Sequence, residues 1–399
     1  MAWPYWSFSL CRGTSTVIYL DNSATTRPFD SVADVMASSM REAYFNASAA
    51  YKPAVEVDRA IHVCRQRIAA QLGAQEDEVV FTAGGTESDN LAILGLVQTL
   101  HQPANIVCSA VEHPAVSETI RRAEQLGHEV RVLPVDGRGV VDLERAAQLI
   151  DERTALVSCM QVSNETGAIQ PIAQLSRLAR ERNPQVRVHV DGVQGFMRVP
   201  LHMGRMGVDL YALSGHKIHG PKGVGALVIR KGVRLVPQTT GGGQEKNLRS
   251  GTYNSPAILG LSQAVLEMSQ RKEQIEDMRR MKAHLAQLLL ELPGARINGP
   301  QPGEPDAAPH ILSLTLEGVR GEVLRNALEG AGILVSTGSA CASHKQKTST
   351  SLRAMGLTGE QADGTIRISL GMYNTMDEMD ETAAQIRKAH ALLSRYRRR

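Results

Sequence analysis

Short apolar runs that alternate with helical stretches constrain the fold of this chain more than any other feature of its sequence. Seven such runs lie between Glu78 and Arg230: EVVFT, ANIVCSA, EVRVLPV, TALVSCM, VRVHV, VDLYAL and GALVIR. Stretches with helical periodicity, such as SDNLAILGLVQTL and VSETIRRAEQLG, separate several of them. Nearly continuous apolar strands that alternate with helices indicate a mostly parallel sheet covered on both faces. The sequence therefore predicts an α/β fold around a mostly parallel, seven-stranded sheet.

The last third of the chain has a different pattern. A long helical stretch from about Pro256 to Leu292 is ended by Pro293-Gly294, and its length suits a bridge between domains. After it, HILSLTLEG, GEVLRNALEG, ILVSTG, GTIRISLG and a final helix from about Met376 are typical of a small α+β domain. With 399 residues the chain is long enough for two domains. We predict a large domain over residues 29–262, a small domain over 17–28 and 263–399, and a disordered extension over 1–16.

Composition argues against several classes of function. The net charge is only +3, so nothing indicates a nucleic-acid partner. No apolar run is long enough to span a membrane, and the first residues lack the features of a signal peptide. The five cysteines lie far apart, with no CxxC pair, which argues against a disulfide framework or a zinc site. We therefore expect a cytoplasmic protein without a bound metal.

Three of the five cysteines have the surroundings of core residues, and a fourth lies in an unusual context. Cys64 shares an apolar helix face with Ile61 and Ile68, and Cys108 and Cys159 fall in or beside predicted strands, so these three are expected in the core. Cys341 lies in STGSACAS, where small polar neighbours give no packing reason for a thiol.

Polar side chains follow five of the predicted strands, at the point where each strand ends. Ligands of open α/β sheets bind at the carboxyl ends of the strands, so such residues can converge. One polar strand end would be unremarkable, but five in succession predict a single site. The residues concerned are Thr86, His113, Asn164, Asp191, Gln194, Ser214, His216 and Lys217.

The chemistry of this set favours a phosphorylated, ring-containing cofactor over a metal. Two potential ligands at His189 and Asp191, without a third nearby, are too few for a metal site. AGGTESDN could bind a phosphate at the start of a helix. A glycine turn followed by a threonine N-cap, without any phosphate, would give the same sequence pattern. An aspartate for a pyridine nitrogen, a lysine for a Schiff base and a phosphate site together indicate pyridoxal 5′-phosphate (PLP).

Eight short motifs follow one another along the chain: FTAGGTESDN, VEHPAV, NETG, HVDGVQ, SGHKIHGPKG, GGGQEKNLRSGT, STGSAC and IRISLG. In these motifs and in their order, the chain resembles the cysteine desulfurases, which belong to the class V aminotransferase family of fold-type I PLP enzymes. The resemblance runs from Tyr19 to Gly371. It implies a homodimer that converts L-cysteine to L-alanine and passes sulfur to an acceptor protein, either an iron–sulfur scaffold or a tRNA-thiolation protein.

The resemblance also implies roles for individual residues. Lys217 would hold PLP covalently, Asp191 would pair with the pyridine nitrogen, and His113 would stack on the ring and move protons. Cys341, on a long polar loop, would accept the sulfur. The remaining residues are implied to bind the phosphate (Gly85, Thr86, Ser214, His216 and, across the dimer, Thr252), the ring hydroxyl (Gln194) or the cofactor and substrate (Asn22, Asn164, Arg367).

The resemblance is incomplete at two positions, and three alternatives stay open. Tyr51 and Met372 stand where the family usually has a histidine and an arginine. A selenocysteine lyase would share nearly every residue named above. A transaminase of the same family is disfavoured because it would need no cysteine at position 341. A non-catalytic sulfur-delivery scaffold is disfavoured by the presence of Lys217, His113 and Cys341.

Overall fold

The computed structural model describes residues 17–337 and 349–394. The predictions for residues 1–16 and for Cys341 therefore fall outside the described residues. The strands are β1 (Ile18–Tyr19), β2 (Val79–Thr82), β3 (Asn105–Ser109), β4 (Glu129–Leu133), β5 (Thr154–Ser158), β6 (Arg187–Asp191), β7 (Leu210–Ser214), β8 (Gly225–Ile229), β9 (Ala295–Asn298), β10 (Ile311–Leu316), β11 (Ile333–Leu334), β12 (Ser336–Thr337) and β13 (Thr365–Ser369).

Helices connect and cover these strands. They are α1 (Asp30–Glu42), α2 (Lys52–Leu72), α3 (Gly85–Val97), α4 (Pro114–Gln125), α5 (Leu143–Leu149), α6 (Ile172–Arg182), α7 (Met203–Met206), α8 (Ser255–Ser269), α9 (Lys272–Leu290), α10 (Gly321–Gly330), α11 (Thr350–Ala354), α12 (Gly359–Asp363) and α13 (Met376–Leu393). None of the helices in the described ranges combines the length and the apolar character that a membrane span requires.

The seven predicted strands form one sheet, in the order β2-β8-β7-β6-β5-β3-β4. Strand β8 runs antiparallel to both β2 and β7, and every other pairing in the sheet is parallel. Every residue of β3, β7 and β8 is buried, as expected when helices cover both faces. The predicted α/β fold with a mostly parallel, seven-stranded sheet is confirmed.

Helices α2 and α3 cover the sheet for reasons that the sequence makes clear. In α2, the apolar face that contains Ile61, Cys64 and Ile68 is buried, and Gly73 ends the helix in the left-handed region at φ 63°. An added Cβ at Gly73 would lie 2.3 Å from the His202 ring, so the close approach also requires glycine. Helix α3 is apolar on most sides and lies almost wholly in the interior.

The prediction of one long helix between Pro256 and Leu292 is wrong in one respect. The segment forms two helices, α8 and α9, which are separated at Gln270 and Arg271. Arg271 has φ −111° and ψ 38°, outside the helical region. No proline or glycine causes the break. The two helices pack in different cores, because Leu261 and Val265 of α8 join the core of the large sheet, whereas Met278 and Leu285 of α9 join a second core.

The second core belongs to a smaller, antiparallel sheet with the order β12-β13-β10-β9. Helices α9, α10 and α13 contribute to that core, and so does Leu20, at the start of the chain. The predicted boundary at residue 262 falls inside α8, whose Met268 still packs against the large sheet. The domain limits themselves stay a prediction.

Candidate active site

A cavity of about 220 Å³ lies at the carboxyl ends of the large sheet, where the small sheet meets it. Ten of the residues predicted for the site line this cavity, although they come from six separate segments of the sequence. They are Gly85, Thr86, His113, Asn164, Asp191, Gln194, Ser214, His216, Lys217 and Arg367. Ser23, Ala24, Asp89, Met160 and Val193 also line it, and the sequence analysis did not single them out.

Lys217 lines the cavity, and main-chain groups near the N-terminal end of the described residues hold its side chain in place. It ends the single 3₁₀ turn Gly215–Lys217 that follows β7. Its ammonium group donates to the carbonyl oxygens of Ser23, at 2.6 Å, and Ala24, at 2.8 Å. Its own carbonyl oxygen accepts a hydrogen bond from the buried Arg198. The segment YLDNSATT, residues 19–26, therefore contributes main-chain groups to the site, which side-chain patterns could not reveal.

Asp191, the last residue of β6, is a buried carboxylate that faces the cavity. Burial raises its pKa, and the nearby His113, the Val193 N–H at 2.9 Å and Lys217 act in the opposite direction. A buried carboxylate whose charge is poorly compensated gains stability from an additional N–H donor or cation. A protonated ring nitrogen is such a donor, so Asp191 is suited to bind one.

Two further buried carboxyl groups, Asp89 and Glu112, lie near Asp191. Burial raises the pKa of Asp89, and Asp191 and Glu112 raise it further. Burial raises the pKa of Glu112 to about 8, and it accepts hydrogen bonds from Ser109 and the Met160 N–H. His189, which burial keeps neutral with a pKa of about 3, shares a 2.8 Å hydrogen bond with Ser158. Within residues 17–337 and 349–394, no group of three histidine, cysteine, aspartate or glutamate side chains is arranged so that it could hold a metal ion.

His113 combines a structural and a potential chemical role. It is the N-cap of α4, and its Nδ1 accepts a hydrogen bond from the Ala115 N–H at 3.1 Å. The neutral ring therefore carries its proton on Nε2. Burial lowers the pKa of His113, so the ring stays neutral below its usual range. His113 can thus present an Nε2–H group to a molecule in the cavity.

One end of the cavity is suited to bind an anion. Gly85 and Thr86 begin α3, a helix of 13 residues whose first N–H groups have no acceptor within the helix. An added Cβ at Gly85 would lie 2.6 Å from Val193 Cγ2, so only glycine permits this approach. Ser214 and His216 face the same region, which opens into an outer cavity of about 700 Å³. Burial, followed by Lys217 and Lys222, lowers the pKa of His216 to about 4.

The opposite end holds a guanidinium group. Arg367, on β13, is 4% exposed, and it donates to the Asn164 carbonyl oxygen at 2.8 Å and pairs with Asp21 at 2.9 Å. Its Nε is buried and has no hydrogen-bond partner among the described residues. An arginine that is held on one side and has a donor left over can bind a carboxylate.

Two predicted residues do not line the cavity. The side-chain nitrogen of Asn22 donates to the carbonyl oxygens of Tyr19 and Ser369, at 3.2 and 3.0 Å, and so ties the start of the fold to β13. Thr252 is exposed, and it lines neither the inner nor the outer cavity of its own subunit. Their roles stay predictions, as does that of Cys341.

The residues present fit PLP. The helix start with Gly85 and Thr86 suits its phosphate, Asp191 suits its ring nitrogen, and Lys217 suits its aldehyde carbon. Each group of the cofactor finds a side chain of complementary chemistry, and the buried Arg367 Nε remains for the substrate. Gln194 is oriented by two hydrogen bonds, from its amide nitrogen to the Ser23 carbonyl oxygen at 2.9 Å and from His310 at 3.4 Å.

The chain is similar to known proteins over nearly its whole length. A family model for class V aminotransferases matches residues 18–382. The cysteine desulfurase IscS of Methanosarcina thermophila is 39% identical over 365 residues, which cover 91% of this chain and 89% of that protein. A NifS-like protein of known structure is 38% identical, with a TM-score of 0.87 over 95% of this chain and 100% of that one. SspA, solved in complex with cysteine, is 32% identical, with a TM-score of 0.78 over 90% and 100% of the two chains.

Proposed function

The chain belongs to the class V aminotransferase family, and we propose that it is a PLP-dependent cysteine desulfurase that converts L-cysteine to L-alanine. The observation that carries this proposal is the convergence of Lys217, Asp191, His113 and Arg367 on one cavity. Its relatives that are named cysteine desulfurases, and the one solved with cysteine, support the choice of substrate.

Each end of the site would bind a different part of the cofactor and substrate. The N–H groups of Gly85 and Thr86 would bind the phosphate together with the hydroxyl of Ser214, and neutral His216 would add a hydrogen bond without a charge. Lys217 would attach the cofactor covalently. Arg367 Nε would donate a charge-assisted hydrogen bond to the carboxylate of the amino acid.

The bound cofactor supplies a ring that withdraws electrons from the amino acid and so stabilises negative charge at its Cα. Asp191 keeps the proton on the ring nitrogen, because a carboxylate in this buried position binds a cation better than a neutral group. His113 donates or recovers a proton at Nε2. Asn164 and Gln194 would orient the bound molecule, and Val162 and Met160 give the cavity part of an apolar wall.

Sulfur leaves the substrate through Cys341 in this proposal. The Cys341 thiolate attacks the substrate sulfur, so that an S–S bond forms while the carbon–sulfur bond breaks. The electron pair that remains on carbon takes up a proton, which gives alanine and leaves one extra sulfur on Cys341. An acceptor protein then receives that sulfur, and we propose an iron–sulfur scaffold or a tRNA-thiolation protein in the cytoplasm.

We also propose that the protein works as a homodimer. Thr252 is exposed and lines neither the inner nor the outer cavity of its own subunit, which supports a phosphate contact across a subunit interface. The outer cavity, beside Thr86 and His216, is the opening through which such a contact would reach the phosphate end.

Replacement of the two proposed reactive residues tests the function. Lys217→Ala should abolish the visible absorption of bound PLP and nearly all alanine formation. Cys341→Ser should bind PLP normally but form no persulfide, because a serine hydroxyl is not ionised near neutral pH and is a poor nucleophile towards sulfur. Mass spectrometry after brief exposure to cysteine should find one added sulfur on the Cys341 peptide.

The buried cysteines provide the matched control. Cys64, Cys108 and Cys159 are all buried, so Cys64→Ser should leave persulfide formation unchanged. Sulfur on one of these three instead of Cys341, or a Cys341→Ser variant of normal activity, would refute the mechanism. Turnover of selenocysteine well above that of cysteine would favour the selenocysteine lyase alternative.

A further inference from the structure

The loop that carries Thr252 has an unusual backbone. We call residues 241–252, GGGQEKNLRSGT, the threonine loop. Three successive residues other than glycine in this loop, Glu245, Lys246 and Asn247, have φ angles of 48°, 56° and 66°. The left-handed region is unfavourable for such residues because Cβ approaches the carbonyl oxygen. Three in a row persist only when the surrounding structure imposes them.

A buried ion pair imposes this conformation. Arg65 of α2 donates to both carboxylate oxygens of Glu245, at 2.7 and 2.6 Å, across 180 residues of sequence. Both side chains are buried, with exposures of 10% for Arg65 and 3% for Glu245. Two parallel, charge-assisted hydrogen bonds fix direction as well as distance, so Glu245 has little freedom to move.

Strand β2, at the edge of the large sheet, also holds Glu245 and Arg65 in place. The Phe81 N–H of β2 donates to Glu245 at 3.0 Å, and Arg65 also donates to the Val79 carbonyl oxygen at 2.6 Å. The guanidinium group lies over the Phe81 ring, 4.7 Å from its centre. The strained turn is thus attached to β2, the edge strand of the large sheet.

The fixation extends along the loop to Thr252. The Glu245 N–H donates to the Tyr253 hydroxyl at 3.3 Å, and the Gly251 N–H donates to the Gln244 side chain at 2.8 Å. The residues on both sides of Thr252 are therefore tied to the two residues at the start of the turn. Yet Thr252 itself is exposed and lines neither the inner nor the outer cavity of its own subunit. An exposed hydroxyl on a strained, hydrogen-bonded loop is suited to contact a second molecule.

We propose that Arg65 and Glu245 are positioning residues for the active site of a second copy of the chain: their ion pair holds the threonine loop so that Thr252 reaches the phosphate of PLP in the partner subunit. This inference rests on the proposed PLP enzyme and its dimer. Arg65 and Glu245 touch neither cofactor nor substrate, and they act only through Thr252.

The test measures PLP affinity of the apo-protein by absorption titration, which requires no turnover. Arg65→Met should weaken binding at least tenfold, roughly the value of one lost hydrogen bond to a charged group. Glu245→Gln preserves the shape of the side chain and should weaken binding to a smaller degree. Arg180→Met is the matched control, because it removes an arginine that pairs with another buried carboxylate, Asp209, at 2.7 Å and that makes no contact with the threonine loop in the described residues.

A double-mutant cycle separates positioning from a general structural role. If Arg65 acts through Thr252, Arg65→Met should have almost no further effect on PLP affinity in a Thr252→Ala background. An equal loss of affinity in both backgrounds would overturn the inference and leave the proposed function intact. A protein that binds no PLP at all would instead refute the proposed function.

Mixed dimers show which subunit the loop serves. Subunits with Lys217→Ala and subunits with Arg65→Met are combined through different affinity tags. If the loop crosses the interface, the Arg65→Met subunit has an intact Lys217 and an intact partner loop, so half of the sites should bind PLP with normal affinity. Mixed dimers without any site of normal affinity would mean that the loop serves its own subunit, and this would overturn the inference.

Discussion

Lys282 offers a quantitative test of how burial affects the chain's charges. It lies in α9 and is 2% exposed, and no carboxylate lies within ion-pair distance of it in residues 17–337 or 349–394. Its ammonium group has one hydrogen bond, to the Ala308 carbonyl oxygen at 2.6 Å. Burial, with a smaller effect of Arg279, lowers the pKa of Lys282 from 10.5 to about 7. A charged Lys282 therefore destabilises the folded state.

The size and the pH range of this effect follow from linkage. The unfolded chain binds the proton more tightly, so the free energy of unfolding should rise with pH from about 7 to about 10.5. Below pH 7 the full cost is present, on the order of 5 kcal/mol for a pKa lowered this far. Lys282→Met removes that cost but leaves the Ala308 carbonyl without its donor, which costs about 1–3 kcal/mol. We expect a net gain of about 2–4 kcal/mol at pH 7.

Urea denaturation at pH 6, 7, 8 and 9 measures both the gain and its pH dependence. The Lys282→Met variant should be more stable than the wild type at pH 6 and 7, and the difference should shrink as the pH rises. Lys388→Met, on an exposed face of α13, is the control and should change stability little at any pH. A Lys282→Met variant that is less stable than the wild type at pH 7, or a pH-independent difference, would refute the reasoning.

Two further predictions concern the cavity. Gly85→Ala should lower the affinity for PLP about tenfold or more, because the new Cβ would lie 2.6 Å from Val193 Cγ2 and would push α3 away from the phosphate end. Absorption titration measures this affinity. Gly137→Ala is the control and should leave the affinity unchanged, because a Cβ at Gly137 meets nothing within 4 Å. Because burial lowers the pKa of His113, its neutral form should persist at pH values below 6.5; the exchange of the alanine α-proton with D₂O, followed by NMR, should therefore lose rate only below pH 6.5, and a loss centred above pH 7 would contradict this assignment.

The sequence by itself determined the main sheet and most of the site. Strands that are buried on both faces must be apolar along their whole length, so EVVFT and VDLYAL could be identified without any other information. The residues that follow such strands must lie at one edge of the sheet, which is why Asp191, His113 and Lys217 could be placed together. These inferences need only local pattern and the geometry of parallel strands.

Only the tertiary structure decided which distant groups meet. The sequence shows no reason why Arg65 should pair with Glu245, why Lys282 should be buried without a carboxylate, or why Lys217 should bind the carbonyl oxygens of Ser23 and Ala24. The break between α8 and α9 carries no proline or glycine signal, because it arises where the chain passes from one core to another. Charge, strain and burial at these positions depend on contacts between segments remote in sequence, and a local pattern contains no information about them.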